Sequence, residues 1–74
     1  MQIEVRCFAT LSPHTPKGNR LDLPDGTTAE EAMHILNIRP EDLKLIFVNG
    51  VHAEPDRVLN DGDRVAFVPA VGGG

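Results

Sequence analysis

One segment of this 74-residue chain has a convincing helical period, and the segments around it alternate as strands do. Ala29, Ala32, Met33 and Leu36 recur at i, i+3, i+4 and i+7, so one apolar stripe faces a core while Glu30, Glu31 and His34 face water. Thr27 with Glu30, or Thr28 with Glu31, forms a capping-box pattern that satisfies amide donors of the first turn, and both glutamates suit the positive end of the helix. The helix should stop near Asn37, because Pro40 disfavours helical angles at Arg39 and Pro40 to Leu43 reads as a turn. One helix with one stripe suits an α+β sheet covered on a single face.

The strands are read from alternation. Residues 2–8 place Ile3, Val5 and Cys7 on one face and Gln2, Glu4, Arg6 and Phe8 on the other, which leaves Phe8 on the polar side. Thr10 to Asn19 holds two prolines among turn residues and reads as a loop, and Arg20 to Leu23 returns as a second strand before a turn at Pro24-Asp25-Gly26. Leu45 to Val48 is apolar on both faces, as expected of a strand covered by the helix on one side and partly by loops on the other. Asn49-Gly50 favours a type I′ hairpin into Val51-His52-Ala53. After an irregular stretch from Glu54 to Asn60, Asp61-Gly62-Asp63 makes a turn whose acids are free to meet a basic partner, and Arg64 to Val68 forms the last strand with Val65 and Phe67 inward. Pairing of the last strand with the first is expected to bring the chain's end beside the sheet edge.

Length allows one domain, near the lower size for a chain that folds on a single unstapled core. Cys7 is the only cysteine and has no Cys or His at ligand spacing, so a disulfide framework and a zinc site are both disfavoured, no metal site is expected, and His14, His34 and His52 share no face that the pattern establishes. Seven basic against eleven acidic side chains, with no Tyr or Trp, disfavour nucleic acid as a partner. No long apolar run suggests a signal peptide or a membrane span, and the expected location is cytoplasmic. Six acids between Asp22 and Asp42 face one base, Arg39, which reads as a solvated face or a surface for a basic protein.

The last residues, Val71-Gly72-Gly73-Gly74, follow an apolar strand and end in a carboxylate on a tail with no side chains beyond Val71. Such a tail is either a frayed end or a reagent thin enough to enter a slot in another protein. The division is therefore a domain over residues 1–71 and a flexible tail over residues 72–74.

The closing run from Leu59 to Gly74, with its Asp-Gly-Asp turn, apolar strand, proline, valine and glycines, resembles the MoaD/ThiS-like sulfur carriers, as do Phe8-Ala9 and Val48-Asn49-Gly50. It is most similar in look to the small subunit of molybdopterin synthase. The resemblance covers essentially the whole chain and implies a β-grasp, ubiquitin-like fold: a mixed sheet of four to five strands with one main helix packed on one face. It implies that the carboxylate of Gly74 is adenylated and then thiocarboxylated by an E1-like adenylating enzyme, and that the sulfur passes to a precursor of the molybdenum or tungsten cofactor on the molybdopterin synthase large subunit or an analogous acceptor enzyme. On the same resemblance Gly72 and Gly73 thread the tail into the partner, while Phe8, Leu59 and Val68 dock. No cofactor is expected to bind the carrier tightly; the ATP is used by the activating enzyme. With no Gly-rich phosphate loop and no paired base and nucleophile, this chain carries the group while others catalyse.

Val68 stands where that branch often has phenylalanine, Ala70 where a second proline is usual, and the proline-rich loop from Ser12 to Asn19 where a helical segment is common. The third glycine, Gly72, is shared with thiamine-pathway carriers. A thiamine-pathway carrier, and a ubiquitin-like modifier joined to proteins through Gly74, therefore stand as alternatives.

Overall fold

In the computed structural model, which describes residues 1–70, the alternating segments form one mixed sheet. Its strands are β1 (Gln2–Cys7), β2 (Arg20–Asp22), β3 (Leu43–Val48), β4 (Val51–Ala53) and β5 (Arg64–Pro69), in spatial order β2-β1-β5-β3-β4. β1 and β5 run parallel, with Val5 beside Val65 and Cys7 beside Phe67; the other three pairs are antiparallel. β5 is thus the central strand. The expected pairing with β1 is present, and β3 takes the other side of β5, so β5 is not an edge strand. The boundary at residue 71 and the roles expected of Gly72, Gly73 and Gly74 lie outside the described residues.

The helix α1 (Ala29–Ile35) lies across one face. Of the two capping patterns the chain uses Thr28 with Glu31: the Glu31 amide donates to Thr28 Oγ1 at 3.2 Å, and the Thr28 amide donates to Glu31 Oε1 at 2.9 Å. Thr27 is buried instead and donates its hydroxyl to the Pro24 carbonyl. At the other end Asn37 takes a left-handed φ of 62°, which lets the Ile38 and Asn37 amides reach the carbonyls of Met33 and His34, a Schellman closure. Ala29, Ala32, Met33 and Leu36 are buried against Ile3, Val5, Ile46, Val48, Val65 and Phe67, as the stripe and the strand alternation require.

Two segments differ from their sequence reading. The loop of residues 10–19 contains 3-10 turns at Ala9–His14 and Lys17–Asn19. Its bonds from Leu11 to Phe8 and from Thr15 to Ser12 are i+3 bonds that bypass the missing amide of Pro13, and buried Leu11 anchors the segment. The irregular stretch after β4 is tied to the start of α1: the Ala29 and Glu30 amides donate to the carbonyls of Arg57 and Pro55, and the Leu59 amide donates to the Thr27 carbonyl. First-turn donors of the helix are satisfied in this way by backbone as well as by a cap.

The Asp61-Gly62-Asp63 turn also proves internal. Asp63 is buried, accepts the Asn60 amide at 2.8 Å and the Asn49 side-chain amide at 3.0 Å, while Asn49 Oδ1 accepts the Arg64 amide at 3.0 Å. Asp61 accepts the Gln2 amide at 2.8 Å. The turn therefore locks the Asn49-Gly50 hairpin, where φ is 54° and 81° as a type I′ turn needs, onto the start of β5. Asp63→Ala is expected to cost about 1.5–3 kcal/mol, because it leaves two donors without an acceptor. Asp63→Asn should recover part of that, and a denaturant midpoint unchanged by Asp63→Ala would contradict the lock.

Candidate functional site

The face of the sheet opposite α1 gathers the residues with most to offer a partner. On β5 the outward positions are Arg64, Ala66 and Val68, since Val65, Phe67 and Pro69 are buried inward. The register sets Leu45 of β3 beside Val68 and Phe47 beside Ala66, with His52 of β4 next to Phe47. The rings of Phe47 and His52 meet edge to face, with centroids 6.1 Å apart. On the β1 side Arg6 lies beside Ala66, and Phe8 follows Cys7 out of the strand with its amide bonded to the Phe67 carbonyl at 3.1 Å. A strip of Phe8, Val68 and Leu45, backed by Ala66 and Phe47, thus crosses the sheet near the end of β5.

The rest of this face is charged. Arg64 lies beside Glu4, Arg6 pairs with Glu4 at 3.2 Å, and Arg20 reaches Gln2 on β1. Apolar and ionic halves on one flat surface suit a docking face, since a contiguous exposed apolar patch marks an interaction site.

Of the three docking residues expected from sequence, Phe8 is 48% exposed and Val68 is half-buried on the outward face, where the strip joins them. Leu59 is not with them. At 1% exposure it is core, held there by its backbone bond to Thr27, so its side chain is unavailable to dock. Leu45 and Phe47 were missed as surface residues. The run that contains them is apolar on both faces and suggests coverage by loops, whereas both are only half-buried beside Val68, Ala66 and His52.

The remaining candidates separate. Cys7 is partly buried, and burial pushes its thiol up against the opposing hydrogen bond with the Thr15 side chain, which makes it a poor nucleophile. His14 Nδ1 is 3.0 Å from the Leu36 carbonyl, His34 lies on the helix surface and His52 on β4. Among the described residues no three His, Cys, Asp or Glu side chains gather to hold a metal ion, and no helix is long and apolar enough to cross a membrane. Within the acidic run, the Arg39 guanidinium hydrogen-bonds to Asp42 at 2.9 Å and holds its exposed carboxyl below the ordinary value.

The comparisons with known proteins agree with this architecture. The ThiS family model matches residues 5–74. No curated protein matches by sequence. Among solved structures, small archaeal modifier protein 1 of Haloferax volcanii is 22% identical over 95% of this chain and 98% of that one, with a TM-score of 0.74. Urm1 of Trypanosoma brucei is 29% identical over 99% of this chain and 95% of that one, with a TM-score of 0.68. A chain in the complex of subunits 1 and 2 of the molybdopterin-converting factor of Helicobacter pylori is 24% identical, covers 100% of both chains and has a TM-score of 0.60. Sheet order, the one α-helix among the described residues and these neighbours define a ubiquitin-like β-grasp fold, and with the family match they put the chain in the sulfur-carrier or modifier class. The chain belongs to the ThiS family.

Proposed function

We propose that this protein carries sulfur as a thiocarboxylate on Gly74 and delivers it in the synthesis of molybdopterin. The observation that carries the reading is the apolar strip of Phe8, Val68 and Leu45 at the end of β5, the strand that leads directly toward the glycines. A partner seated on that strip is well placed to receive the residues that follow Ala70.

A carboxylate is a poor electrophile until its oxygen becomes a leaving group. An E1-like adenylating enzyme supplies the change: the Gly74 carboxylate attacks the α-phosphorus of ATP, pyrophosphate leaves, and hydrosulfide then attacks the acyl carbon, displaces AMP and loses its proton to leave the thiocarboxylate. Stabilising the charge that develops in these steps needs donors preorganised in the partner's site. The chain itself contributes a docking face and a tail of Gly72 and Gly73, which have no side chains to obstruct a narrow channel. The molybdopterin synthase large subunit is the proposed acceptor, supported by the likeness to a chain of the Helicobacter pylori complex of subunits 1 and 2.

The likeness to small archaeal modifier protein 1 supports a second reading, in which Gly74 is joined to amines of other proteins. One experiment separates the two. The protein is incubated with ATP, a sulfide donor and the adenylating enzyme of its own cell, and its intact mass is compared with that of a chain lacking Gly74. The expected result is the gain of one sulfur in exchange for one oxygen, absent from the shortened chain. A ladder of larger species on a denaturing gel, without that gain, would replace the carrier reading with the modifier reading.

A further inference from the structure

β4 is shorter than the strand it accompanies. It pairs with Ile46, Phe47 and Val48 of β3 and then leaves at Glu54-Pro55, while β3 begins at Leu43. Lys44 has no cross-strand partner in either ladder, because the register with β5 slips between Leu43 and Leu45 and β4 has already ended. Beside this unpaired edge, on the α1 side of the sheet, lies a cavity of about 290 Å³. Met33, Leu43, Ile46 and Ala53 give it an apolar lining, and Glu30 and Glu54 stand at its rim. That volume accommodates a large aliphatic side chain.

The rim selects a charge. The ion pairs among the described residues engage Asp25, Glu4, Glu41 and Asp42 and leave Glu30, Glu54 and Lys44 without partners. Two free carboxylates thus outnumber one amine around the cavity, and all three side chains are exposed. The acid-rich stretch of the sequence, which the docking face on the other side of the sheet does not use, contributes Glu30 to this rim.

We propose that an extended segment of a basic partner protein adds here as a strand that prolongs β4, pairing with β3 at Lys44, seating one aliphatic side chain in the cavity and meeting Glu30 and Glu54 with lysine or arginine. In strand addition main-chain bonds give affinity, while a pocket for alternate side chains gives register. The site does not depend on sulfur carriage, and it leaves the opposite face free for a second partner.

The test uses a capped hexapeptide of sequence Arg-Val-Leu-Val-Arg-Lys, titrated into the isotope-labelled protein while backbone amide resonances are followed. Saturable shifts at Met33, Leu43 to Leu45 and Ala53-Glu54 are expected. Because a strand bonds a neighbour through alternate amides, N-methylation either of the leucine or of both valines should abolish binding, and the other modification should leave it. The exposed pair Glu30→Lys and Glu54→Lys should weaken binding roughly tenfold with the fold intact. No saturable shift, shifts confined to Phe47, Ala66 and Val68, or equal binding by both N-methylated peptides would each overturn the proposal.

Discussion

Phe67→Ala is expected to remove a quarter or more of this domain's stability. Phe67 is fully buried on the central strand, between Cys7 of β1 and Ile46 of β3, and is the largest of the fully buried side chains. Truncating such a phenylalanine costs about 3–5 kcal/mol in lost transfer free energy and residual cavity. A domain of this length holds on the order of 4–11 kcal/mol in total. A small core has few other contacts with which to collapse around the gap. Chemical denaturation should show a midpoint lowered by about a quarter or more for alanine, and a smaller loss, about 1.5 kcal/mol or less, for the more conservative Phe67→Leu. A midpoint for Phe67→Ala close to that of the parent would mean that the α1 stripe and β1 hold the core without it. Partner binding by this variant should fall only in proportion to the unfolded fraction, since Phe67 faces away from the docking strip.

Short-range chemistry made much of this fold legible. The stripe Ala29, Ala32, Met33, Leu36 and the turn at Asn49-Gly50 depend on neighbours within a few residues, and both formed as their patterns require. What depended on distant partners was harder to read. Pairing of β5 with β1 was foreseeable, yet its central place follows from β3 taking its other edge, a contact between residues about twenty apart that no local pattern records. Leu59 lies in a stretch without periodicity, so nothing local distinguished a core leucine from a surface one; the bond from its amide to Thr27 settled it. Asp63 was read as a turn acid because turns commonly carry them, while its burial depends on Asn49, fourteen residues away. Phe8 and Val68 were legible as outward residues because alternation assigns faces. Leu45 and Phe47 were not, because an apolar run on both faces leaves alternation with nothing to sort.

That difference bears on the docking proposal, which rests on residues found in both ways. Val68→Lys is expected to weaken the complex with the acceptor subunit by two orders of magnitude or more. Val68 lies between Leu45 on one side and the β1 end that carries Phe8 on the other, so a partner covering the strip would bury it near the centre of the contact. Residues that cost more than about 2 kcal/mol when truncated cluster in such desolvated centres. A lysine there adds the expense of desolvating an ammonium without a matched carboxylate, which for an interfacial charge amounts to several kcal/mol. Folding should survive, because the side chain points outward and strand preferences differ by only about 1 kcal/mol between extremes. Phe47→Ala should show a smaller loss, while Glu31→Gln, on the helix across the sheet, should be silent. The measurement is a titration of the parent and these variants against the acceptor subunit, with sulfur transfer followed from protein already carrying the thiocarboxylate, so that activation is bypassed. Transfer should slow at low acceptor concentration and recover as the acceptor is raised, the signature of lost docking with intact chemistry. If Val68→Lys bound as tightly as the parent, the partner would have to approach from another surface, and the outward face of the sheet would lose its claim to that role.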